Sequence, residues 1–374
     1  AAGPLPAWGA RRGGRSEMEV AAGGPAGSSQ GCPSVGAAGH ALEVWPRAVG
    51  GAPVGRTLWS PSDVAALVAE LEARLGREGV RRARRDQHSR RRAIPCGMPL
   101  ITGHSCDYAC RYCYIQDWYP FVAPTPSELS GEEVLLALLG NPNWVPSRDF
   151  IILGDVCDPF HPRLRARSLE YIEAASSLNS PVQFSTKSEI PPEAAAVLGC
   201  LVRERGALVS ALVTITTLRH AMELEPEAPP VAARLKTIRR LAAEGVPAFV
   251  FMRPLIPGAC GDFAHVLEAA HDAGAVGAVV GSLRVSRKIY RRLRQTKVAD
   301  IEAIDAQLGA KGILPESLAE DQVDIQDEPL REEVAAKARE FGLAVVRRAC
   351  CANAWCSRRP CRQPKCLMQH LFDW

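Results

Sequence analysis

Residues 181–217 read PVQFSTKSEIPPEAAAVLGCLVRERGALVSALVTITT. Two runs rich in strand-forming residues, PVQFSTKS (181–188) and LVSALVTITT (208–217), enclose the stretch PPEAAAVLGCLVRERG (191–206). That stretch opens on proline, which suits the first turn of a helix. It closes on glycine, the usual residue just past a helix end. Strand, helix and strand at this spacing form one β/α unit, whose two strands run parallel and whose crossover is right-handed.

The same alternation continues on both sides. Upstream, DFIILGDV (149–156) reads as a buried strand and LRARSLEYIEAASSL (164–178) as a helix. Downstream come the helix PPVAARLKTIRRLAAEG (229–245), the strand VPAFVFMRPLIPG (246–258), the helix FAHVLEAAHDAG (263–274) and the strand AVGAVVGSLRV (275–285). Residues 309–329 read as a loop or insertion, followed by the helix LREEVAAKAREFG (330–342) and the strand LAVVRR (343–348). Repeated units of this kind make the chain α/β, with a parallel sheet wound as a full or partial (β/α) barrel. Chemistry on such a barrel sits at the C-terminal ends of its strands.

The flanks differ from this central part. Residues 1–57 are rich in Gly, Ala, Pro and Arg without periodicity and are expected to be disordered. A helix is expected to begin near Ser60 or Ser62, in SPSDVAALVAELEARLG (60–76). It runs into REGVRRARRDQHSRRRA (77–93), where the arm Arg77–Arg92 is either a solvated helical face or a phosphate-binding element. The expected division is therefore 1–57, 58–93, a barrel over 94–348 and a cysteine-rich tail over 349–374. A net charge of +4 spread over 374 residues hides this local concentration of arginine. No apolar run reaches the roughly 20 residues that span a bilayer, and no secretory signal is visible. The cytoplasm is the expected compartment and no membrane partner is expected.

Thirteen cysteines, an odd number, argue against a disulfide framework. Eight of them form two groups: Cys106, Cys110 and Cys113, and a tail group from Cys350 to Cys366. The first group lies in SCDYACRYCYIQDW (105–118), just before the first helix of the series. Thiolates are soft ligands for zinc or iron–sulfur clusters. Three of them hold three irons of a [4Fe–4S] cluster and leave the fourth iron open, which is a reactive arrangement. The competing readings are a three-ligand zinc site and a reactive dithiol.

The C-x3-C-x2-C spacing, with an aromatic residue before the last cysteine, resembles the radical SAM superfamily. Several segments resemble its spore photoproduct lyase-like, photolyase-like group. These are RYCYIQ (111–116), GDVCDPFHP (154–162), STKS (185–188), VTITTL (213–218), LEPEAPPVAARL (224–235) and MRPLIPG (252–258). The resemblance covers about residues 98–290. It implies a partial (β/α)6 TIM-like barrel, a [4Fe–4S] cluster on Cys106, Cys110 and Cys113, and S-adenosylmethionine on the open iron. It also implies an electron donor such as flavodoxin or ferredoxin, and a 5′-deoxyadenosyl radical that abstracts a substrate hydrogen. The protein's part in such chemistry is binding, orientation and electrostatics.

Further roles follow from the same resemblance. Tyr112 would pack near the adenine. Lys187 and Thr214 would contact S-adenosylmethionine, with a strand-end lysine and a core threonine as the plainer readings. Gly154 and Asp155 would stand where the superfamily binds the amino group, although Asp155 also suits a helix cap. Cys157 lies near where the lyase keeps its hydrogen-donating cysteine, and Tyr114 would relay the radical. Free cysteine is more often a small buried apolar residue. Repair of DNA is the substrate reading that the lyase implies, with the arm Arg77–Arg92 as a nucleic-acid contact.

In the tail, Cys351, Cys356, Cys361 and Cys366 recur every five residues, and Pro360 and Pro364 preclude a continuous helix there. A turning segment of this kind suits a second iron–sulfur cluster or a zinc. Simple lesion lyases of the group lack such a tail. Two alternatives therefore stand: a maturase or biosynthetic enzyme acting on a peptide, tRNA or small molecule, and a nucleic-acid-binding protein with structural metal sites.

Overall fold

The computed structural model describes residues 59–360 apart from residues 95, 120 and 121. The extension over 1–57 and the tail cysteines Cys361 and Cys366 lie outside the described residues.

Seven strands form one sheet, and every neighbouring pair in it is parallel. They are β1 (Met98–Pro99), β2 (Ile151–Leu153), β3 (Val182–Thr186), β4 (Val209–Thr214), β5 (Ala248–Met252), β6 (Gly277–Val280) and β7 (Ala344–Val346). Their order in space is their order in sequence, and β1 and β7 are the two ends, so the arc is open. The crossovers carry α2 (Gly131–Leu139), α3 (Arg165–Ser176), α4 (Pro192–Arg205), α5 (Val231–Ala243), α6 (Phe263–Asp272) and α9 (Glu328–Glu340). The result is six β/α units followed by a seventh strand. Val182 and Phe184 of β3, and Ala248 and Val250 of β5, pack with these helices into the larger core. The alternate residues point to the concave side, as the two-residue period of a strand requires.

Before the barrel, α1 (Pro61–Arg85) starts at Ser60, whose side chain accepts from the Asp63 N–H while Asp63 accepts from the Ser60 N–H. This reciprocal cap, with proline at the first helical position, is what the sequence pattern predicts. The helix is broken at Gly76, where φ is +62°. Its arginine-rich end is partly paired within the chain: Arg82 donates to the buried Glu133 at 2.8 Å, and Arg84 pairs with Glu72.

The stretch 275–285 departs from its reading as one strand. β6 ends at Val280, and Leu283–Val285 pairs antiparallel with Val323–Ile325, inside the segment expected to be loop. The break falls at Gly281, where a Cβ would stand 2.6 Å from the Arg253 side chain. Between β6 and α9 also lie α7 (Arg287–Arg294) and α8 (Ile301–Gly309).

The tail also differs from expectation. Cys350, Cys351 and Cys356 lie on a regular helix, α10 (Ala349–Ser357), which ends at Arg358 with φ +51°. The prolines fall beyond that end. α10 packs on the concave residues Leu212, Phe249 and Val279. The Trp355 and Phe249 rings meet edge-on at 5.5 Å. Its far end is anchored by Arg359, which donates to the Asn179 carbonyl at 2.8 Å, just before β3. The helix therefore fills part of the barrel's interior. Among the described residues no helix is long and apolar enough to cross a membrane.

Candidate active site at the mouth of the barrel

The cysteine loop leaves the C-terminal end of β1. Gly103–His104 pairs with Thr125–Pro126, and the loop then turns through Ser105 (φ +77°) and Ala109 (φ +53°). A short helical turn, Ile115–Trp118, follows the third cysteine. The loop is held from several directions. The Gln116 side chain donates to the Cys110 carbonyl at 2.8 Å, and the Arg111 N–H donates to the Leu224 carbonyl at 2.8 Å. Arg292 of α7 donates to the Arg111 carbonyl at 3.0 Å and the Cys113 carbonyl at 2.8 Å, and pairs with Asp117 at 2.6 Å.

Cys110 is buried, and Cys106 and Cys113 are half-buried. Burial raises all three thiols, Cys110 to about 12, because a thiolate is poorly solvated there. The Lys187 cation opposes this at Cys110 and Cys113. Arg234 does so at Cys110, and Arg292 at Cys113. Three soft donors on one loop, with cations around them, match the needs of a thiolate-bound iron cluster. Among the described residues no three His, Cys, Asp or Glu side chains are already gathered to one point as a metal site.

On one side of the loop, Tyr112 donates its hydroxyl to Glu225, and Glu225 pairs with Arg234. Arg234 is 1% exposed and also donates to the Pro229 carbonyl at 2.9 Å and the Thr214 carbonyl at 3.1 Å. The Lys187 ammonium stands 5.4 Å from the centre of the Tyr112 ring. Cys110, Tyr112, Lys187 and the end of β4 at Thr214 thus meet around one buried ion pair.

Asp158 ties the ends of β2 and β3 together. It accepts from the Thr186 hydroxyl at 2.7 Å, the Ser188 hydroxyl at 2.9 Å, the Lys187 N–H at 2.6 Å and the Phe160 N–H at 3.1 Å. Gly154 has φ +104°, and a Cβ there would stand 2.3 Å from the Ser185 hydroxyl. Only glycine allows that backbone and that approach.

On the other side, Tyr114 donates its hydroxyl to the Asp155 carbonyl, and Arg91 lies 4.0 Å from the Asp155 carboxylate. Cys157 is buried against Thr102, its sulfur 3.8 Å from the hydroxyl, and burial pushes its thiol up to about 12. Asp158, Glu225, Arg234 and Arg292 went unassigned in the sequence reading. Asp158 and Glu225 sit inside its quoted motifs, DPF and LEPE.

Of the four tail thiols spaced every five residues, Cys351 and Cys356 are among the described residues. Cys351 and Cys356 are about 140° apart around the helix axis. Cys351 is buried in α10, and Cys356 is half-buried.

No family model and no curated protein matches the sequence. Solved structures are similar. One is a spore photoproduct lyase variant with bound AdoMet and dinucleoside spore photoproduct. It is 14% identical, with 75% of this chain and 94% of that chain covered and a TM-score of 0.50. Spore photoproduct lyase complexed with the dinucleoside photoproduct is 16% identical, with 68% and 75% covered and a TM-score of 0.46. A radical SAM methyltransferase from Sphaerobacter thermophilus is 14% identical, with 67% and 64% covered and a TM-score of 0.42. At these identities the likeness is one of fold. The chain shares the open, parallel β/α-barrel fold of the AdoMet-bound spore photoproduct lyase structure.

Proposed function

We propose that this protein is a radical SAM enzyme, with Cys106, Cys110 and Cys113 as the ligands of its cluster. The observation that carries the reading is the three-thiol loop at the C-terminal mouth of a parallel barrel, beside Lys187, Arg234 and Arg292. When bound, a [4Fe–4S] cluster with S-adenosylmethionine supplies an adenosyl radical. The chain's own part is to hold and orient. Arg292 and Gln116 fix the loop carbonyls, so the thiols start from a set backbone. The cations favour the thiolate forms that ligation needs. Lys187, Gly154, Asp155 and Thr214 line the strand ends where S-adenosylmethionine would lie, with Tyr112 held upright by Glu225.

The same reading extends to a lyase-like reaction in which Cys157 returns a hydrogen atom. Its support is a buried sulfur that stays a thiol at neutral pH. The arm supports a nucleic-acid substrate through Arg77, Arg85, Arg90 and Arg92, which are exposed. A second metal site draws no support from the helical placement of Cys351 and Cys356. The test is anaerobic reconstitution with iron and sulfide. The wild type is expected to take up a cluster with charge-transfer absorption in the visible range, and Cys110→Ala to lose it. Equal iron and sulfide uptake by both proteins would refute the ligand assignment. Deuterium transfer from a labelled oligonucleotide into 5′-deoxyadenosine separates the nucleic-acid reading from the peptide and small-molecule alternatives.

A further inference from the structure

The helix α7 reads RKIYRRLR, five basic residues among eight. A helix turns about 100° per residue, and that rotation sorts them. Ile289, Tyr290 and Leu293 are buried and join the core. Arg292 faces the cysteine loop, where it holds the Arg111 and Cys113 carbonyls and Asp117. Arg287, Arg291 and Arg294 fall within an arc of about 60° on the remaining side. All three are exposed.

The Arg287 side chain donates to the Leu318 carbonyl at 2.6 Å, and the Arg294 guanidinium lies 5.9 Å from the centre of the Tyr290 ring. Among the described residues none of the three arginines pairs with a carboxylate. Lys288, at the edge nearer the loop, stands 3.4 Å from the Asp117 carbonyl and 3.4 Å from Glu320. The residue after Asp117 is Trp118, 64% exposed, its ring edge-on to Tyr114 at 5.4 Å. The outer face of α7 is thus three guanidinium groups without counter-charge, with an exposed aromatic ring beside them. Like charges on one face repel, and an anionic partner relieves that repulsion. Position selects the partner. The face points away from the loop that Arg292 holds. A substrate has to reach the strand ends at Lys187 and Thr214. An electron carrier has only to approach the cysteine loop from outside, across about one helix diameter, 10–12 Å.

We propose that the outer face of α7, with Trp118 at its edge, docks an acidic one-electron carrier protein of the flavodoxin or ferredoxin type. The proposal rests on the reading of Cys106, Cys110 and Cys113 as cluster ligands. Carboxylates of the carrier pair with Arg287, Arg291 and Arg294, and Trp118 supplies the apolar contact that aromatic residues give at interfaces. With a flavodoxin, the anionic flavin hydroquinone loses one electron and becomes the neutral semiquinone, the cluster gains that electron, and no proton moves. Charge pairs of this kind speed the encounter and are screened by salt.

The test uses the full chain, anaerobically reconstituted, and a flavodoxin. Calorimetric titration is expected to show binding that weakens as salt is raised. The double variant Arg291→Glu, Arg294→Glu is expected to bind at least about tenfold more weakly, and Arg291→Lys, Arg294→Lys to bind as the wild type does. Release of 5′-deoxyadenosine driven by flavodoxin hydroquinone is expected to fall in the glutamate variant. Release driven by dithionite, which needs no docking, is expected to match the wild type. No flavodoxin binding by the wild type, or equal binding by the wild type and the glutamate variant, would overturn the docking face. So would a glutamate variant that loses binding to a single-stranded oligonucleotide but keeps flavodoxin, since the face would then be a nucleic-acid contact. Loss of dithionite-driven release in the glutamate variant alone would make the arginines structural and overturn it as well. Absence of dithionite-driven release from the wild type would instead remove the radical SAM reading on which the proposal rests.

Discussion

Asp158 receives hydrogen bonds from two hydroxyls and two N–H groups and is 8% exposed. Asp158→Ala leaves those donors buried without partners, at about 1–3 kcal/mol for each group not rescued by water. The variant is expected to unfold at clearly lower urea concentration than the wild type, and Asp158→Asn to fall between them. The ion pair beside Tyr112 gives a second contrast. Tyr112→Phe removes one hydroxyl hydrogen bond, about 1 kcal/mol. Glu225→Gln leaves the Arg234 guanidinium buried without its counter-charge, about 3–5 kcal/mol. Urea melts of the two variants are expected in that order, and a reversed order would remove Glu225 as the anchor of the loop. The thiols separate by pH. Cys157 is raised to about 12 and Cys96 lowered to about 7. Iodoacetamide at about pH 8 is therefore expected to label Cys96 well ahead of Cys157, the thiolate being the nucleophile. Because the folded value at Cys157 lies above the unfolded one near 8.5, its contribution to stability is whole below about pH 8.5. That contribution is lost as pH rises through about 12. The cysteine loop was legible in the sequence because its spacing is local. The partners of Asp158 and Tyr112 were not, because the contacts span 30 and 113 residues.

At the scale of elements, α7 holds the cysteine loop, and α10 covers part of the concave face. Arg292 holds two carbonyls of the cysteine loop and Asp117 with one planar group, a geometry lysine cannot reproduce. Arg292→Lys is expected to bind less iron on reconstitution than wild type while keeping its circular dichroism spectrum; wild-type iron content would show that α7 does not position the loop. Deleting residues 349–374 uncovers Leu212, Phe249 and Val279 on the concave face. The truncated chain is expected to bind a hydrophobic dye and melt at lower temperature. The capped start of α1 and the proline start of α4 were readable from local residues. α10 was not, because Cys350, Cys351, Ala352 and Ala354 are all buried and leave no polar stripe to mark a surface helix. The regular cysteine spacing gave no sign of this helix, which carries Cys351 and Cys356, while Cys361 and Cys366 lie outside the described residues.

At the scale of the whole molecule, the alternation of strands and helices carried the barrel, since each β/α unit is closed by nearby residues. Periodicity alone left a full and a partial barrel both open, because closure depends on whether two strands pair across 245 residues, from Pro99 to Ala344; the partial barrel was what the resemblance implied. That opening lies where α10 returns. The mouth carries the three-cysteine loop, three cations and four strand ends, and the proposed activity is cleavage of S-adenosylmethionine there. The direct measurement is 5′-deoxyadenosine released by anaerobically reconstituted protein given dithionite and S-adenosylmethionine. Release is expected from the wild type and none above background from Cys110→Ala; no release by the cluster-loaded wild type, or equal release by both, would rule the proposed function out.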